Sequence, residues 1–277
     1  MIASIPEQLK ILHVPEFDPQ DHSYRFNGWL LPGVSGLLDK TGIRKPFDRT
    51  FWRRSLIKKG MSVYEADAYM DQRGARARAG GTLIHSLIES RLNGVTSEQL
   101  EEANLTVQQV DAYLKAFDDF RDTWELGPVL LQEQPLMHPT GHYCGTADCV
   151  ALINETPTII DWKTVMPPEE GKKLKKPRAE LWQLYQLTAY LGCINASQQI
   201  LNKPTICNAM NVWLMPDGFH VNRWSDIEIF DAWTTFKGLL RDFWRERMEL
   251  GDDWHQPELA ADAFAAIDKH WGPWEET

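Results

Sequence analysis

The chain contains 277 residues, 43% of them hydrophobic, with a formal net charge of −10 at pH 7. This length and composition are typical of a globular protein that can bury a substantial core. The sequence shows no secretory leader, no apolar run long enough to span a membrane, and no C-x-x-C pair among its four cysteines. We therefore expect a soluble, cytoplasmic protein that is not secreted, has no membrane partner, and has no zinc or iron–sulfur site.

The first predicted elements are a β-hairpin over residues 22–31 and a short helix after it. Polar and apolar residues alternate on both sides of Asn27 and Gly28, a pair typical of a two-residue hairpin turn. A Pro-Gly pair then interrupts the alternation. Ser35 follows it as a candidate N-cap for a helix that runs through Leu38.

Residues 44–80 form a basic segment within this acidic chain. They contain ten lysines and arginines against four acidic residues, a local charge of +6 that leaves −16 for the rest. Because salt screens charges beyond roughly 8–10 Å, phosphate binding depends on the local patch and not on the mean charge. The net negative charge therefore does not exclude a nucleic-acid partner.

The same segment is predicted to form two helices, separated at Gly60 and ended by Gly74, each with one apolar stripe. Such a hairpin is either a solvated surface element or an arm over a nucleic-acid groove. In the second case Phe51, Trp52 or Tyr69 is available to stack on bases. The candidate DNA-binding residues of the arm are Arg49, Trp52, Arg53, Arg54, Lys58, Lys59, Arg76 and Arg78.

A further helix is predicted with Thr82 as N-cap and Gly94 at its end. His85 and Glu89, four residues apart, share one edge of this helix. A single histidine beside an apolar face is usually a core residue with satisfied hydrogen bonds. Here the glycines at 80–81 allow the backbone to approach closely, which favours a contact with a ligand or a phosphate.

The next helix is predicted from Thr106 to Trp124. Thr106 and Gln109 have the spacing of a capping box, in which each side chain accepts a hydrogen bond from the main chain of the other. Apolar residues recur along the helix at helical spacing. We therefore expect it to be part of the scaffold.

A strand is predicted over residues 129–137, with Glu133 among apolar and amide residues. A charged side chain in a central strand is costly unless it is paired or bound to a metal. Glu133 is therefore a candidate third carboxylate of a metal site, or an ion-pair partner for Lys163.

The central stretch covers residues 145–164 and is predicted to be two strands joined by a turn near residues 154–157. Side chains of a strand alternate between its faces, so Asp161 and Lys163 share one face and the apolar neighbours take the other. Asp148 precedes a short apolar run, at the head of the first strand. Two carboxylates and an ammonium are therefore expected to meet on one surface of the sheet.

This combination favours metal-dependent phosphodiester chemistry. Two neighbouring carboxylates repel each other and attract a hard divalent cation such as Mg²⁺ or Mn²⁺, and a lysine beside them can hold a water or a phosphate oxygen. An Asp-x-Lys triplet alone is more often a surface ion pair. The function therefore depends on the other motifs.

A basic loop and a helix follow. The loop, residues 171–178, is either solvated or a guide for phosphates. In the helix, predicted over residues 179–193, Gln183, Gln186 and Tyr190 form one polar face that can orient a phosphate or a water. The candidate DNA-binding residues of the loop are Lys172, Lys173, Lys175 and Lys176.

The C-terminal part is predicted to hold a hairpin over residues 206–224 and two helices that pack on the core within residues 225–277. Ser225 has the spacing of a capping box, Phe230 is expected to face inward, and the last helix covers residues 258–270. No linker or repeat divides the chain, so residues 1–277 are predicted to form one domain. No phosphate-binding loop of the ATPase type is present, so no ATP is expected.

Four motifs occur in chain order: Gly81–His85 (G-T-x-x-H), Gly145–Asp148 (G-x-x-D), Asp161–Thr164 (D-x-K-T) and Gln186–Tyr190 (Q-x-x-x-Y). Their order and spacing resemble the PD-(D/E)XK nucleases of the RecB type. Within that superfamily the chain is similar to the single-strand DNA exonucleases related to the mitochondrial genome maintenance exonuclease and to their phage and bacterial relatives. Each motif is weak alone, whereas the four together are specific.

The resemblance implies an α/β (α+β) PD-(D/E)XK fold, with a central mixed sheet flanked by helices and an N-terminal helical arch over residues 44–80. It also implies one or two Mg²⁺ or Mn²⁺ ions. The implied metal ligands are His85, Asp148, Asp161 and the backbone carbonyl of Trp162, with Glu133 as a further candidate.

The resemblance also implies that Lys163 positions the attacking water and stabilises the charge on the phosphate, and that Gln186 and Tyr190 orient Lys163 or the scissile phosphate. Asp161 stands where many relatives have glutamate, and the cysteine quartet of the iron–sulfur branch is absent. An aspartate at position 161 is ordinary for the RecB type, as is Thr146-Ala147-Asp148 in place of a literal Pro-Asp.

The expected function is that of a metal-dependent DNA exonuclease that prefers single-stranded ends threaded under the arch, in a bacterial or phage-infected cell. One alternative is a double-strand end-resecting or structure-specific nuclease that works with a recombination or replication protein. Another is a non-catalytic nucleic-acid-binding scaffold. These alternatives differ in substrate and in their need for metal.

Overall fold

A computed structural model describes residues 8–45, 47–93, 105–168, 173–174, 176–250 and 256–267. Within these ranges the chain forms a three-stranded sheet, a five-stranded sheet and seven helices. The predicted α+β class is therefore confirmed. None of the described helices is both long enough and apolar enough to cross a membrane.

The small sheet contains β1 (Glu16–Asp18), β2 (Ser23–Phe26) and β3 (Trp29–Leu31), all antiparallel. The predicted hairpin is confirmed, because Asn27 and Gly28 both adopt the positive φ angles that its two-residue turn requires. The sequence analysis did not predict β1.

Helix α1 (Val34–Lys40) follows, but its N-cap is Gly33 and not Ser35 as predicted. The main chain before the helix is held against the large sheet, since the N–H of Cys144 donates to the carbonyl of Pro32 at 2.9 Å. This contact makes the helix begin at the buried Val34, which leaves Ser35 inside the first turn.

The basic segment contains α2 (Arg49–Lys58) and the beginning of α3 (Val63–Asn93). The prediction that Gly74 ends one helix and Thr82 caps another was wrong, because α3 continues for 31 residues. A methyl group at Gly80 would lie 2.6 Å from the Cε of Met166, so a larger residue there would displace the flexible end of the Met166 side chain. At 1.5 Å per residue, α3 is about 46 Å long.

Helix α4 (Val107–Thr123) begins with the predicted capping box. The main-chain N–H of Gln109 donates to the Thr106 hydroxyl, and the main-chain N–H of Thr106 donates to the side-chain oxygen Oε1 of Gln109. It packs with the buried Ile84 and Ile88 of α3 on one face of the large sheet. The scaffold role predicted for this helix agrees with its buried apolar stripe.

The large sheet has the strand order β4 (Leu126–His138), β5 (Tyr143–Ile153), β6 (Thr156–Thr164), β7 (Asn208–Met215) and β8 (Gly218–Trp224). Only β6 and β7 are parallel, and α5 (Leu181–Ile200) lies between them in the chain. The predicted strands of the central stretch and the C-terminal hairpin are thus confirmed, with β8 at one edge of the sheet.

Helices α6 (Asp226–Leu250) and α7 (Pro257–Ile267) complete the described chain and pack with α5 on the second face of the sheet. Ser225 and Glu228 form the predicted capping box at the start of α6. Phe230, predicted to face inward, is 46% exposed, because the buried stripe passes through Ile229 and Trp233 instead. Residues 268–270 of the predicted last helix lie outside the described ranges.

Because His138 is buried, we expect the free energy of unfolding of this protein to depend on pH. Its buried Nδ1 accepts the N–H of Gly141 at 3.0 Å. Burial, then the neighbouring His142 and His13, lower its pKa to about 3. Because the unfolded chain binds this proton near pH 6.5, stability is complete above that pH and falls as the pH decreases toward 3.

We expect the free energy of unfolding to fall between pH 8 and pH 5 by about 2 kcal/mol more in the wild type than in His138→Asn, which keeps an acceptor but has no titrating ring. Urea denaturation of both proteins at each pH measures this difference, in which all other titrating groups cancel. Parallel pH profiles for the two proteins would contradict the expectation.

Candidate active site

The site is built where β5 and β6 separate. Their pairing runs from Ile153 opposite Thr156 to Cys149 opposite Ile160 and then ends. We call the point where the two strands diverge the fork. There the Asp148 carboxylate replaces the main-chain hydrogen bonds between the strands, since its Oδ2 accepts the main-chain N–H of Trp162 at 2.9 Å. Asp148 lies within β5 and not at its head as predicted, because β5 continues along β4 to Tyr143.

Asp161 and Lys163 share one face of β6, as the alternation predicted. The Lys163 ammonium forms a 2.6 Å ion pair with Oδ1 of Asp161, whose side chain is only 5% exposed. Trp162 lies on the opposite face, in contact with Phe117 and Phe120 of α4. Burial opposes the charge on Lys163, but Asp161 and Asp148 outweigh it and raise the pKa of the ammonium.

Asn211 completes the surroundings of Asp161, and the sequence analysis did not identify it. It lies opposite Asp161 in the parallel β6–β7 register, and its Nδ2 donates to Oδ2 of Asp161 at 2.7 Å. The indole N–H of Trp224 donates to Oδ1 of Asn211 at 2.8 Å, which fixes the orientation of the amide. The available signal was a polar residue in the middle of β7, whose other residues from Ala209 to Met215 are apolar.

The surroundings of Asp148 disfavour the charged form of its carboxyl group. Burial, and then the nearby charge of Asp161, raise its pKa well above the ordinary range of an aspartate, although Lys163 opposes this shift. One ammonium therefore faces two carboxylates in a region of low dielectric. Such a site favours the binding of an additional cation.

His85 reaches the fork from α3. Its half-buried imidazole lies near the main chain of Trp162 and near Asp161 and Lys163. Burial, and then the Lys163 ammonium, lower the pKa of His85, so the ring is neutral at pH 7. A neutral imidazole keeps one nitrogen lone pair, as a metal ligand must.

Gln186 and Tyr190 face the same region from α5. The Nε2 of Gln186 donates to the Tyr190 hydroxyl at 2.9 Å. Burial raises the pKa of Tyr190, and the charges of Asp148 and Asp161 are close enough to add to this shift. Gln183 does not belong to this face as predicted, because it is buried and its Oε1 accepts the N–H of Glu180 at the start of the helix.

Glu133 lies on β4, which is an edge strand and not a central one, and its side chain is exposed. The pairs on either side of it place Glu133 opposite Asp148, and its φ of 42° is unusual for a strand residue. Partial desolvation and the neighbouring Glu89 raise its pKa to about 7. Lys163 is paired with Asp161 instead, so the predicted Glu133–Lys163 ion pair was wrong.

The donor set fits a hard divalent cation. The carboxylates of Asp148 and Asp161 and the carbonyl of Trp162 are oxygen donors of the kind that Mg²⁺ and Mn²⁺ prefer, and the local charge favours a cation. Within the described ranges no three His, Cys, Asp or Glu side chains already converge as a metal-binding group. Both oxygens of Asp161 are instead occupied by Lys163 and Asn211.

Some of the predicted DNA-binding residues of the arm are held by contacts within the helical hairpin, and the others are exposed. Arg49 pairs with Asp71 and Arg53 pairs with Asp67, at 2.8 and 2.7 Å. Trp52 packs inside the helical hairpin against Tyr69. The exposed residues that form no ion pair with another described residue are Arg54, Lys58, Lys59, Arg76 and Arg78.

The basic loop between β6 and α5 is described only in part. Lys173 and Lys176 are both exposed. Lys172 and Lys175 lie outside the described residues. The prediction that this loop guides phosphates therefore stays a prediction.

No protein-family model matches this chain, and a search of curated proteins finds no match. Among solved structures, the one titled "Crystal structure of SSO0001" is similar with a TM-score of 0.23 and 14% sequence identity. The similarity covers 48% of this chain and 61% of that one, less than two thirds of its length. A TM-score this low supports no inference about fold or function.

Gly145 allows Tyr190 to reach the site, which yields a prediction. A methyl group at Gly145 would lie 2.3 Å from Cε1 of Tyr190. Gly145→Ala should therefore displace the ring, break the hydrogen bond from Gln186, and lower the free energy of unfolding by about 1–3 kcal/mol. Urea denaturation measures this loss.

Gly238→Ala in α6 is the matched control. Nothing lies within 4 Å of a methyl group at Gly238. Because alanine favours a helix over glycine, this variant should gain about 0.5–1 kcal/mol. If Gly145→Ala proves as stable as Gly238→Ala, the close contact with Tyr190 does not exist in solution.

Proposed function

We propose that this chain is a Mg²⁺- or Mn²⁺-dependent deoxyribonuclease of the PD-(D/E)XK type that hydrolyses phosphodiester bonds at single-stranded DNA ends. The observation that carries the proposal is the convergence of Asp148, Asp161 and Lys163 on the fork between β5 and β6. His85 from α3 and Tyr190 from α5 support it, since separate elements bring them to the same place.

Asp148, Asp161, the Trp162 carbonyl and His85 are the groups that would hold one or two ions. An ion bound there neutralises the negative charge that develops on the phosphate oxygens. The neutral state of His85 and the low dielectric around both aspartates support this assignment.

Lys163 has the properties needed to hold the attacking water or a phosphate oxygen. Its raised pKa keeps the ammonium charged at neutral pH, and Asp161 fixes its position while leaving other N–H donors available. Tyr190 also keeps its proton at neutral pH, because burial raises its pKa. Because its oxygen accepts from Gln186, the hydroxyl can donate to a carboxylate or to a phosphate oxygen.

The arm supports a polyanionic substrate. Its exposed cations, together with Lys173 and Lys176, supply positive charge that the catalytic carboxylates cannot. In the proposal a single strand passes under this arm, so a chain end is required. The enzyme would act in the cytoplasm of a bacterial or phage-infected cell, alone or with a recombination or replication protein.

The proposal predicts the outcome of a nuclease assay with Mg²⁺ on end-labelled linear single strands, circular single strands and linear duplexes. The wild type should degrade the linear single strand and leave the circle intact. Lys163→Gln should lower the rate by about 100- to 1,000-fold, since it removes a cation that stabilises charge in the transition state. Binding to the linear strand should change little.

Lys115→Gln, an exposed lysine on α4, is the control for this substitution and should keep the wild-type rate. Cleavage of the circle would mean an endonuclease, and preference for the duplex would mean an end-resecting enzyme. If no divalent metal supports cleavage while EDTA leaves DNA binding unchanged, the chain is a non-catalytic binding scaffold.

A second prediction concerns the arm. The triple variant Arg54→Gln, Lys58→Gln, Lys59→Gln should bind single-stranded DNA more weakly and with a flatter salt dependence. If all three cations contact phosphates, the slope of log K against log salt should decrease by about 2. Fluorescence anisotropy in EDTA at several salt concentrations measures both quantities.

The matched control changes three exposed cations outside the arm: Arg25→Gln, Lys115→Gln, Arg245→Gln. Both triple variants alter the net charge by the same amount, so only a local effect of the arm can separate them. Equal salt slopes in the two variants would contradict a DNA-binding role for these arm residues.

A further inference from the structure

Helix α5 presents an aromatic side chain to the candidate active site one turn before the residues already described. Trp182, Gln186 and Tyr190 are spaced by four residues and therefore lie along one face of the helix. The Lys163 ammonium lies 6.0 Å from the centroid of the Trp182 ring. Trp182 is half-buried, so part of its surface faces solvent beside the catalytic lysine.

Arg44 lies against the same ring. Its guanidinium carbon is 5.6 Å from the Trp182 centroid, and two of its nitrogens form a bidentate ion pair with Asp39. The third nitrogen, Nη1, forms no hydrogen bond to a described residue. The indole and Asp39 therefore hold a partly exposed guanidinium in place near Lys163, with one edge available for an anion.

Gln186 adds an acceptor that lacks a donor. Its Nε2 is used by Tyr190, and its buried Oε1 has no hydrogen-bond partner among the described residues. A buried acceptor without a donor costs about 1–3 kcal/mol, so a bound N–H group would relieve this cost. The oxygen cannot bind a phosphate, because a phosphate oxygen is also an acceptor.

We propose that Arg44, Trp182 and Gln186 form a nucleotide-binding subsite next to Lys163. In this subsite Arg44 binds the phosphate and the nucleobase packs on Trp182. When the Gln186 side chain turns toward the base, its Oε1 accepts an N–H of the base. Every base offers a stacking surface and at least one N–H donor, so the subsite accepts any nucleotide of a single strand. A paired base cannot enter it, which gives the single-strand preference a physical cause. This inference rests on the proposed function and adds the recognition of the base.

The test measures binding in EDTA, so that it does not depend on cleavage. Two labelled 12-residue oligonucleotides carry the same phosphates: one of thymidylate, the other of abasic residues. Trp182→Ala should weaken binding of thymidylate about 5- to 100-fold, because base stacking on an aromatic ring is lost. It should weaken binding of the abasic strand much less, because Asp39 still holds Arg44, and Trp182→Phe should restore most of the preference for bases.

Each outcome separates the two proposals. If Trp182→Ala weakens binding of both strands equally, or of neither, the nucleobase subsite is wrong even where the wild type cleaves DNA. If the wild type does not cleave but the base preference depends on Trp182, the subsite stands and the nuclease proposal fails. If neither strand binds in EDTA and the wild type does not cleave DNA with Mg²⁺, both proposals fail.

Discussion

The whole candidate site depends on two carboxylates and one ammonium held out of water at the point where two strands separate. Isolated charges in such a place cost several kcal/mol each, and they persist only where partners satisfy them. Asp161 is satisfied by Lys163 and Asn211, and Asp148 by the N–H of Trp162. Burial, and then the charge of Asp161, raise the pKa of Asp148, and a cation bound beside the two carboxylates would relieve both effects.

The surrounding elements position these groups without supplying charge themselves. The parallel pairing of β6 and β7 places Asn211 opposite Asp161, and α5, between the two strands in the chain, covers the face on which both lie. The N-terminal sheet reaches the same region, since the Tyr24 hydroxyl bonds the Thr146 hydroxyl at 3.0 Å. Loss of any of these contacts would therefore change the geometry of the site.

The continuity of α3 connects the basic arm to the fork. One helix carries Tyr69 in the arm and His85 at the site, so the arm cannot rotate about the glycines at 80–81 as a separate hairpin could. Met166 packs closely against the helix at Gly80. The arm residue Tyr69 and the candidate site residue His85 are thus carried by one continuous helix, which is consistent with the proposed role of the arm in holding a strand near the site.

Local interactions determined much of this protein. The Asn27-Gly28 turn, the capping boxes at Thr106 and Ser225, and the shared face of Asp161 and Lys163 follow from contacts within a few residues, and all were predicted from the sequence. Tertiary structure decided the rest, because it depends on pairings between distant residues. Only the sheet order placed Glu133 on an edge strand, only the β6–β7 register brought Asn211 to Asp161, and only the packing of α5 turned Trp182 toward the site in place of Gln183.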